Sequence, residues 1–328
     1  MIRPLAALAL LAGGVLALSG CSAGQPNEPG AVAGTFPATV QNCGASVTVD
    51  AAPKRIFLVN NDDVALLDAL DALDRVVART VEPLDGIYSD KTYQKLAAAE
   101  LVAVDKNATG GAVVSQETIL EYEPDLVLAP ENAVNRESLL AAGIPVYSPP
   151  AYCSDPTAGV TGPATFERVY DQLLAFGAML GVPETAQTRV DELKVAVDGL
   201  GAADNGTAAA LYVPEGGGTL SPYGGPSMVT PVFEAAGLTN VYADAPDRVF
   251  DVNIEDLLQK DPQTIVLLYS SGTTDATVRN FTSVAGVEGL SAVRNHRVVA
   301  LQFSFTDPPT PLSVEGARQL AAKLAELP

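Results

Sequence analysis

Two stretches of the sequence, VSQETILEYEPDLVL at residues 114–128 and VNIEDLLQKDPQTIVLL at residues 252–268, follow the same pattern. Near its start, each has a residue that favours helix N-caps, then a glutamate two positions later and a proline seven positions after the glutamate. An apolar run follows. The pattern predicts a short helix that leads into a buried strand. Because it occurs once in each half of the chain, it indicates two similar halves.

Strand-like and helix-like segments alternate around both copies. The predicted strands are RIFLV, RVVAR, LVAV, LVLA and IPVYS in the first half, and AALYV, TIVLLY and RVVAL in the second. Short apolar strands separated by helices are typical of a parallel sheet covered on both faces. We predict Asp62 or Asn61 as the N-cap of the helix after RIFLV. A hairpin with its turn near residues 42–45 is predicted ahead of this pattern.

Two longer helices are predicted between the halves. Apolar residues recur every three or four positions over residues 165–180 and again over 184–200. At 1.5 Å per residue the second helix would span roughly 25 Å. We therefore predict an α/β fold of two doubly wound lobes joined by a single long α-helix, with a ligand cleft between the lobes. The predicted N-terminal lobe is 36–182, the linker helix 183–202 and the C-terminal lobe 203–328.

The N-terminus has the pattern of an export signal. Arg3 is the only charge before an apolar run that ends in LSGC at residues 18–21. A short positive region, an apolar core and small residues are typical of a secretory signal, predicted here as residues 1–20. LSGC resembles the bacterial lipobox, which implies diacylglycerol on the sulfur of Cys21; an ordinary signal followed by a cysteine is the alternative. Residues 21–35 are then a flexible tether rich in Gly, Pro and Ala.

Two further cysteines, Cys43 and Cys153, remain in the sequence. An even number of cysteines in an exported protein predicts a disulfide, and two buried free thiols are the alternative. A bridge that closes a loop of about 110 residues would contribute on the order of 4–5 kcal/mol in the chain-entropy model.

Composition and motifs disfavour several function classes. The formal net charge is −20, so no basic face is available for general nucleic-acid binding. The chain has one histidine, His296, and no G-x-S-x-G motif, which disfavours a Ser-His-Asp hydrolase. The cysteine and histidine counts also disfavour a His/Cys metal site. We predict no catalytic residues, no metal ligands and no resident cofactor, although carboxylate pairs for glycoside chemistry stay open.

Polar and aromatic residues follow the predicted strands, at the edge where open α/β sheets bind ligands. Amides, hydroxyls and aromatic rings suit a large, partly apolar organic ligand. For each residue, an ordinary turn or capping role is the alternative. The predicted ligand-binding residues are Asn60, Asn61, Tyr88, Glu131, Asn132, Tyr152, Tyr223, Arg248, Tyr269, Ser270, Phe303 and Phe305.

The order and spacing of these segments resemble the class III substrate-binding lipoproteins of bacterial ABC importers, which carry iron–siderophore complexes, haem or cobalamin. The resemblance covers roughly residues 36–327 and rests on RIFLVNNDDVALLDALDALDRVVA, SQETILEYEPDLVLAPE, AAGIPVYSPPAYC, NIEDLLQKDPQTIVLL and NHRVVAL. It implies a stiff hinge and a largely preformed cleft. It also implies that Glu117 and Glu255 dock onto arginines of two permease subunits. Stabilisation of the helix N-terminus by a first-turn acid is the alternative for both.

The resemblance implies a monomeric receptor on the extracytoplasmic face of the cell membrane, held there through its lipid anchor only. We expect it to bind an iron(III)–siderophore complex and to deliver it to an ABC transporter permease dimer. Arg248 is the one cleft candidate for pairing with an anionic chelate, so the scarcity of arginines favours a neutral or cationic hydroxamate. Haem, with Tyr88, Tyr152 or Tyr223 as an axial ligand, and cobalamin are the alternatives. A secreted α/β hydrolase and a scaffold lipoprotein are alternatives from other classes.

Overall fold

A computed structural model describes residues 34–106, 111–155, 158–200, 204–213 and 220–327. The predicted signal, the predicted lipidation site at Cys21 and nearly all of the predicted tether lie outside these ranges. The described residues all fall within one compact unit. Within them, no helix is both long enough and apolar enough to cross a membrane.

The described strands follow the alternation that the sequence predicts, with additional short strands. They are β1 (Ala38–Asn42), β2 (Ala45–Val49), β3 (Ile56–Leu58), β4 (Val76–Arg79), β5 (Glu100–Leu101), β6 (Asp105–Lys106), β7 (Ala112–Val113), β8 (Leu126–Leu128), β9 (Val146–Tyr147), β10 (Gly206–Tyr212), β11 (Ser221–Pro222), β12 (Leu238–Asn240), β13 (Thr264–Tyr269) and β14 (Val298–Gln302).

The helices lie between these strands. They are α1 (Val64–Ala69), α2 (Asp90–Ala98), α3 (Gln116–Glu121), α4 (Arg136–Ala141), α5 (Glu167–Leu180), α6 (Pro183–Asp198), α7 (Val229–Ala235), α8 (Ile254–Lys260), α9 (Thr274–Thr282), α10 (Ser291–Arg294) and α11 (Pro311–Ala325).

Two five-stranded sheets form the two lobes. The first has the order β5-β4-β3-β8-β9, and all its strands are parallel. The second has the order β11-β10-β13-β14, with β12 also paired to β10 and with β11 as its antiparallel member. Every residue of β3, β8 and β13 is buried, as expected for parallel strands covered on both faces. The predicted two-lobed α/β fold is confirmed.

The repeated sequence pattern forms the same local structure in both lobes. α3 leads into β8, and α8 leads into β13. The Ser115 hydroxyl accepts a hydrogen bond from the backbone N–H three residues further on, at 3.1 Å, and the Asn253 side chain does the same at 2.8 Å. Glu123 and Asp261, which directly precede the two prolines, both have left-handed backbone angles, with φ of 44° and 37°. The helix-then-strand prediction is confirmed in both halves.

The predicted N-cap of α1 is wrong. Asp63 occupies that position and makes no side-chain capping hydrogen bond, whereas Asp62 and Asn61 lie before it. The chain therefore begins its helix one residue later than the sequence pattern predicts, and Asp62 has no capping role.

Two antiparallel neighbours, α5 and α6, connect the sheets. The turn between them passes through Gly181, whose φ of 75° favours glycine. A Cβ on Gly177 would lie 2.3 Å from the Cβ of Ala186, so the two helices approach closely there. α6 is the helix predicted as the linker. It buries Ala186 in its first half, but Val195 in its second half is 73% exposed.

The N-terminal hairpin is fixed to the first lobe by covalent and hydrogen bonds. β1 and β2 pair antiparallel, with Asn42 opposite Ala45, which confirms the predicted hairpin. Cys43, in its turn, forms the predicted disulfide with Cys153. The buried Asn42 side chain donates to the Ser148 carbonyl at 2.7 Å and accepts from the Ser148 N–H at 2.9 Å. The hairpin is thereby held against the end of β9.

Candidate functional site

The carboxyl edges of the two sheets face each other. The guanidinium carbon of Arg248, in the second lobe, lies 5.8 Å from the centroid of the Tyr152 ring in the first lobe. The Gln302 side-chain amide, at the end of β14, donates to the backbone carbonyl of Asp85 at 3.1 Å. Residues from both lobes therefore meet at the edge where parallel α/β sheets bind ligands.

An ion pair between Arg248 and Asp307 lies on the second-lobe side of this cleft. Arg248 Nη1 is 3.5 Å from Asp307 Oδ2, and the Asp307 side chain is only 2% exposed. Ser227 donates to the same carboxylate oxygen at 2.5 Å. Burial favours the neutral form of the guanidine, but the Asp307 carboxylate outweighs burial, and the pKa of Arg248 is raised. Asp307 therefore balances the charge of Arg248.

Asp62 lies on the first-lobe side. Its carboxylate accepts a hydrogen bond from the Asn60 side-chain amide, and its backbone N–H donates to Asn60 Oδ1 at 3.3 Å. Burial raises the pKa of Asp62 to about 7, while Asn60 and Arg248 oppose the rise and Asp307 adds to it. Because charges on the second lobe influence this carboxyl group, Asp62 faces across the cleft.

Aromatic rings from both lobes surround the polar groups. Tyr223 and Phe303 have ring centroids 6.2 Å apart, and Tyr212 meets Phe303 edge to face at 5.9 Å. The Tyr88 hydroxyl lies 3.5 Å from the backbone carbonyl of Asn61. Burial raises the pKa of the Tyr88, Tyr152 and Tyr223 phenols, and nearby carboxylates raise it further. These phenols therefore stay protonated at neutral pH and can donate hydrogen bonds.

Several buried polar atoms here lack a hydrogen-bond partner within the described part of the chain. They are Asn61 Oδ1, Arg248 Nη1 and Gln302 Oε1. An unsatisfied buried polar group costs about 1–3 kcal/mol. A ligand that supplied partners to these atoms would recover part of that cost on binding.

The structure brings together part of the predicted site and places the rest elsewhere. Glu131 pairs with Arg136 at 3.1 Å and accepts from the Ser154 N–H at 2.6 Å, so it supports the loop that carries the disulfide. Tyr269 and Phe305 are 8% and 3% exposed and belong to the hydrophobic core. Asn132 and Ser270 are exposed at strand ends. The predicted residues that meet in the cleft are Asn60, Asn61, Tyr88, Tyr152, Tyr223, Arg248 and Phe303.

Sequence reasoning did not assign Asp62 and Asp307 to the site. Asp62 stands next to two asparagines that follow a buried strand, and that position was the available signal. Asp307 lies in the loop after β14, in the stretch TDPPTP, where prolines and threonines give only a turn signal. Both carboxylates become part of the site because the two lobes pack against each other.

Close packing beneath Arg248 gives a testable prediction. A Cβ on Gly225 would lie 2.2 Å from the carbonyl oxygen of Ala243, in the segment that carries Arg248. We expect Gly225→Ala to lower the free energy of unfolding by about 1–3 kcal/mol, measured by urea denaturation, because the backbone must move. Gly199→Ala is the control, since the nearest atom to a Cβ there is 3.4 Å away. Equal stability of the two variants would contradict this packing argument.

The helices with the paired glutamates begin at the same edge as the cleft. A helix that leads into a parallel strand runs antiparallel to that strand, so α3 and α8 both start near the carboxyl edges of their sheets. Glu117 and Glu255 are exposed in the first turns of these helices. Backbone N–H groups and Ser115 lower the pKa of Glu117, which stays charged at neutral pH.

Metal-ligand chemistry is not evident in the described ranges, where no group of three or more His, Cys, Asp and Glu side chains could hold a metal ion. His296 is exposed and precedes β14, at the amino edge of the second sheet. It therefore lies at the end of its strand that is opposite to the cleft.

Comparison with known proteins gives both a family match and structural neighbours. A family model described as a periplasmic binding protein matches residues 56–304. A crystal structure described as an ABC-type Fe3+-hydroxamate transport system from Saccharomonospora viridis is 38% identical, covers 88% of this chain and 99% of its own, and has a TM-score of 0.80. No curated protein gives a significant match.

More distant structures have the same fold. A periplasmic vitamin B12 binding protein of Vibrio cholerae is 22% identical, with a TM-score of 0.59 over 83% of this chain and 98% of its own. A periplasmic haem-binding protein from Roseiflexus sp. is 18% identical, with a TM-score of 0.63 and the same two coverages.

Proposed function

Because this chain belongs to the periplasmic binding protein family, we propose that it binds an iron(III)–hydroxamate chelate and delivers it to an ABC transporter permease. The family and its structural neighbours are binding proteins of transport systems, and the family implies a location outside the cytoplasm. The 38% identity to the chain from the Fe3+-hydroxamate transport system supports the choice of chelate.

The observation that carries the proposal is the pairing of protonated phenols with a single neutralised arginine in the cleft. Iron-bound hydroxamate oxygens accept hydrogen bonds, which Tyr152, Tyr223 and the unpartnered Nη1 of Arg248 can donate. The chelate supplies the iron ligands itself, so the cleft needs donors and apolar rings. Because Asp307 balances Arg248, no net positive charge is left to favour a highly anionic chelate.

Haem receives less support from the same groups. An axial tyrosine binds haem iron as a phenolate, whereas burial and neighbouring carboxylates raise the pKa of Tyr88, Tyr152 and Tyr223. His296 lies at the opposite edge of its sheet. The hydroxamate assignment therefore fits the described residues better than haem does.

The proposal includes the membrane partners. Glu117 and Glu255 would each pair with an arginine of one permease subunit, since carboxylate–guanidinium pairs are short and directional. Their exposure at the edge that carries the cleft supports this role. Lipidation of Cys21 would hold a monomeric receptor at the outer face of the cell membrane.

A ligand panel monitored by thermal unfolding tests the proposed function. It contains ferric hydroxamate, catecholate and carboxylate siderophores, haem and cobalamin, with the iron-free form of each siderophore. A ligand at a hundred times its dissociation constant adds about 2.7 kcal/mol of stability, which raises the unfolding midpoint. We expect the largest rise with a ferric hydroxamate and a smaller one with its iron-free form. A rise with haem or cobalamin alone, or with no ligand, would overturn the proposal.

A further inference from the structure

We propose that Asp62 selects chelates that carry a positively charged ammonium group, so that the substrate class is a cationic ferric trihydroxamate. This inference rests on the proposed function and names the feature of the chelate that the cleft recognises.

The first step is the position of Asp62. Its carboxylate lies behind the end of β3, is held by the Asn60 amide, and is close enough to Arg248 and Asp307 to interact with both across the cleft. It also influences the phenols of Tyr88 and Tyr152. Asp62 thus lies among the groups assigned to chelate binding and can reach the edge of a bound ligand.

The second step is the charge balance in the cleft. Arg248 forms its ion pair with Asp307, at 3.5 Å, and that carboxylate also accepts from Ser227. The hydrogen bonds of Asp62 come from Asn60, a neutral amide. When all three charged groups are ionised, one negative charge is therefore left over, and it belongs to Asp62.

The third step is that Asp62 has no evident structural role. The N-cap position of α1 belongs to Asp63, so helix capping does not explain a carboxylate at position 62. Asp63 adds an independent observation, because its side chain is 1% exposed and its Oδ2 has no partner within the described ranges. Two adjacent acids, one of them with an unpartnered buried oxygen, form a site suited to a group with several N–H donors.

The last step is the chemistry of the ligand group. An ammonium has three donors and a positive charge, so it can satisfy a carboxylate that loses water when the cleft fills. A neutral arm would leave the charge of Asp62 uncompensated, and an anionic arm would be repelled. Among chelates with the same iron core, the ammonium form should therefore bind most tightly.

Three linear ferric trihydroxamates that differ in one group test the inference. One has a free terminal amine, the second has that amine acetylated, and the third has it succinylated. Isothermal titration calorimetry with the wild-type protein should give roughly tenfold tighter binding for the amine than for the acetylated form, which corresponds to about 1.4 kcal/mol. The succinylated form should bind more weakly than both.

Asp62→Asn keeps the size of the side chain and removes the charge. We expect it to equalise the affinities for the amine and acetylated chelates. Asp71→Asn is the matched control, because Asp71 is exposed and has a φ of 52°, which asparagine tolerates. The control should keep the wild-type preference. A thermal midpoint for each variant confirms that it is folded.

A pH profile of the wild-type protein gives a second readout that needs no variant. The groups that face Asp62 are Arg248, Asp307, Asp63, Tyr88 and Tyr152. Since the pKa of Asp62 is about 7, its charge is present at pH 8 and mostly lost at pH 6, whereas an alkyl ammonium stays charged throughout. Affinity for the amine chelate should fall by up to about tenfold from pH 8 to pH 6, with a smaller fall for the acetylated form.

The outcomes separate this inference from the proposed function. Equal binding of the amine and acetylated chelates by the wild type, or an unchanged preference in Asp62→Asn, would overturn the role of Asp62 while the hydroxamate assignment stands. Failure of all three ferric trihydroxamates to bind would overturn the proposed function itself.

Discussion

Replacing Cys43 and Cys153 together by alanine should lower the free energy of unfolding by about 4 kcal/mol. The bridge spans 110 residues, so its loss frees a long segment of the unfolded chain. The two cysteines belong to the turn of the N-terminal hairpin and to the loop before α5, and little else covers that join. Urea denaturation of the double variant measures the change, and the thermal midpoint should fall by roughly 10 °C.

The matched measurement is the wild-type protein after reduction with a thiol, which should reproduce the loss without any substitution. The hydrogen bonds between Asn42 and Ser148 remain in both cases, so the hairpin can still occupy its position in the folded variant. A loss below about 1 kcal/mol in both measurements would contradict the prediction, because the bridge would then constrain the unfolded chain very little.

Reversing both paired glutamates, Glu117→Lys with Glu255→Lys, should reduce chelate uptake through the permease by roughly a hundredfold. Each substitution replaces an attractive carboxylate–guanidinium pair with two like charges, and both sites change at once. Affinity for the chelate should not change, since both side chains are exposed at the starts of α3 and α8. Uptake of iron-labelled chelate by cells and calorimetry on the purified protein measure the two effects separately.

The control makes the same charge change at the opposite edges of the sheets. Glu121, in the last turn of α3, and Glu326, at the end of α11, are both exposed. The double change Glu121→Lys with Glu326→Lys should leave uptake within about twofold of wild type, because general charge steering contributes less than direct pairing. Normal uptake by the Glu117/Glu255 variant would remove both residues from the docking role. Equal loss in both double variants would instead point to overall charge.

Local sequence signals predicted most of the fold. The helix-then-strand pattern, the N-terminal hairpin and the α5–α6 pair all depend on short-range features such as caps, turn residues and apolar spacing. The short strand β12 escaped prediction because only two of its three residues, Leu238 and Asn240, are buried. β5 is shorter than the apolar run LVAV predicted, because it lies at the edge of its sheet and pairs on one side only.

The site was harder to predict than the fold, and Asp62 shows why. From the sequence it is a capping candidate, since Asn and Asp before a helix usually bond to its first turn. Its interaction with Arg248 and Asp307 depends on how two lobes pack, and spacing along the chain does not encode that geometry. Tyr269 and Phe305 fail the opposite way, because a position at a strand end does not reveal whether a ring turns into the core.

The contact between Gln302 and residue 85 has a consequence for mutational tolerance. Gln302 donates to the backbone carbonyl of Asp85, not to its side chain. Every amino acid has that carbonyl, so substitutions at position 85 keep the acceptor, whereas most substitutions at position 302 remove the donor. Random mutagenesis should therefore recover many functional residues at position 85 and few at position 302.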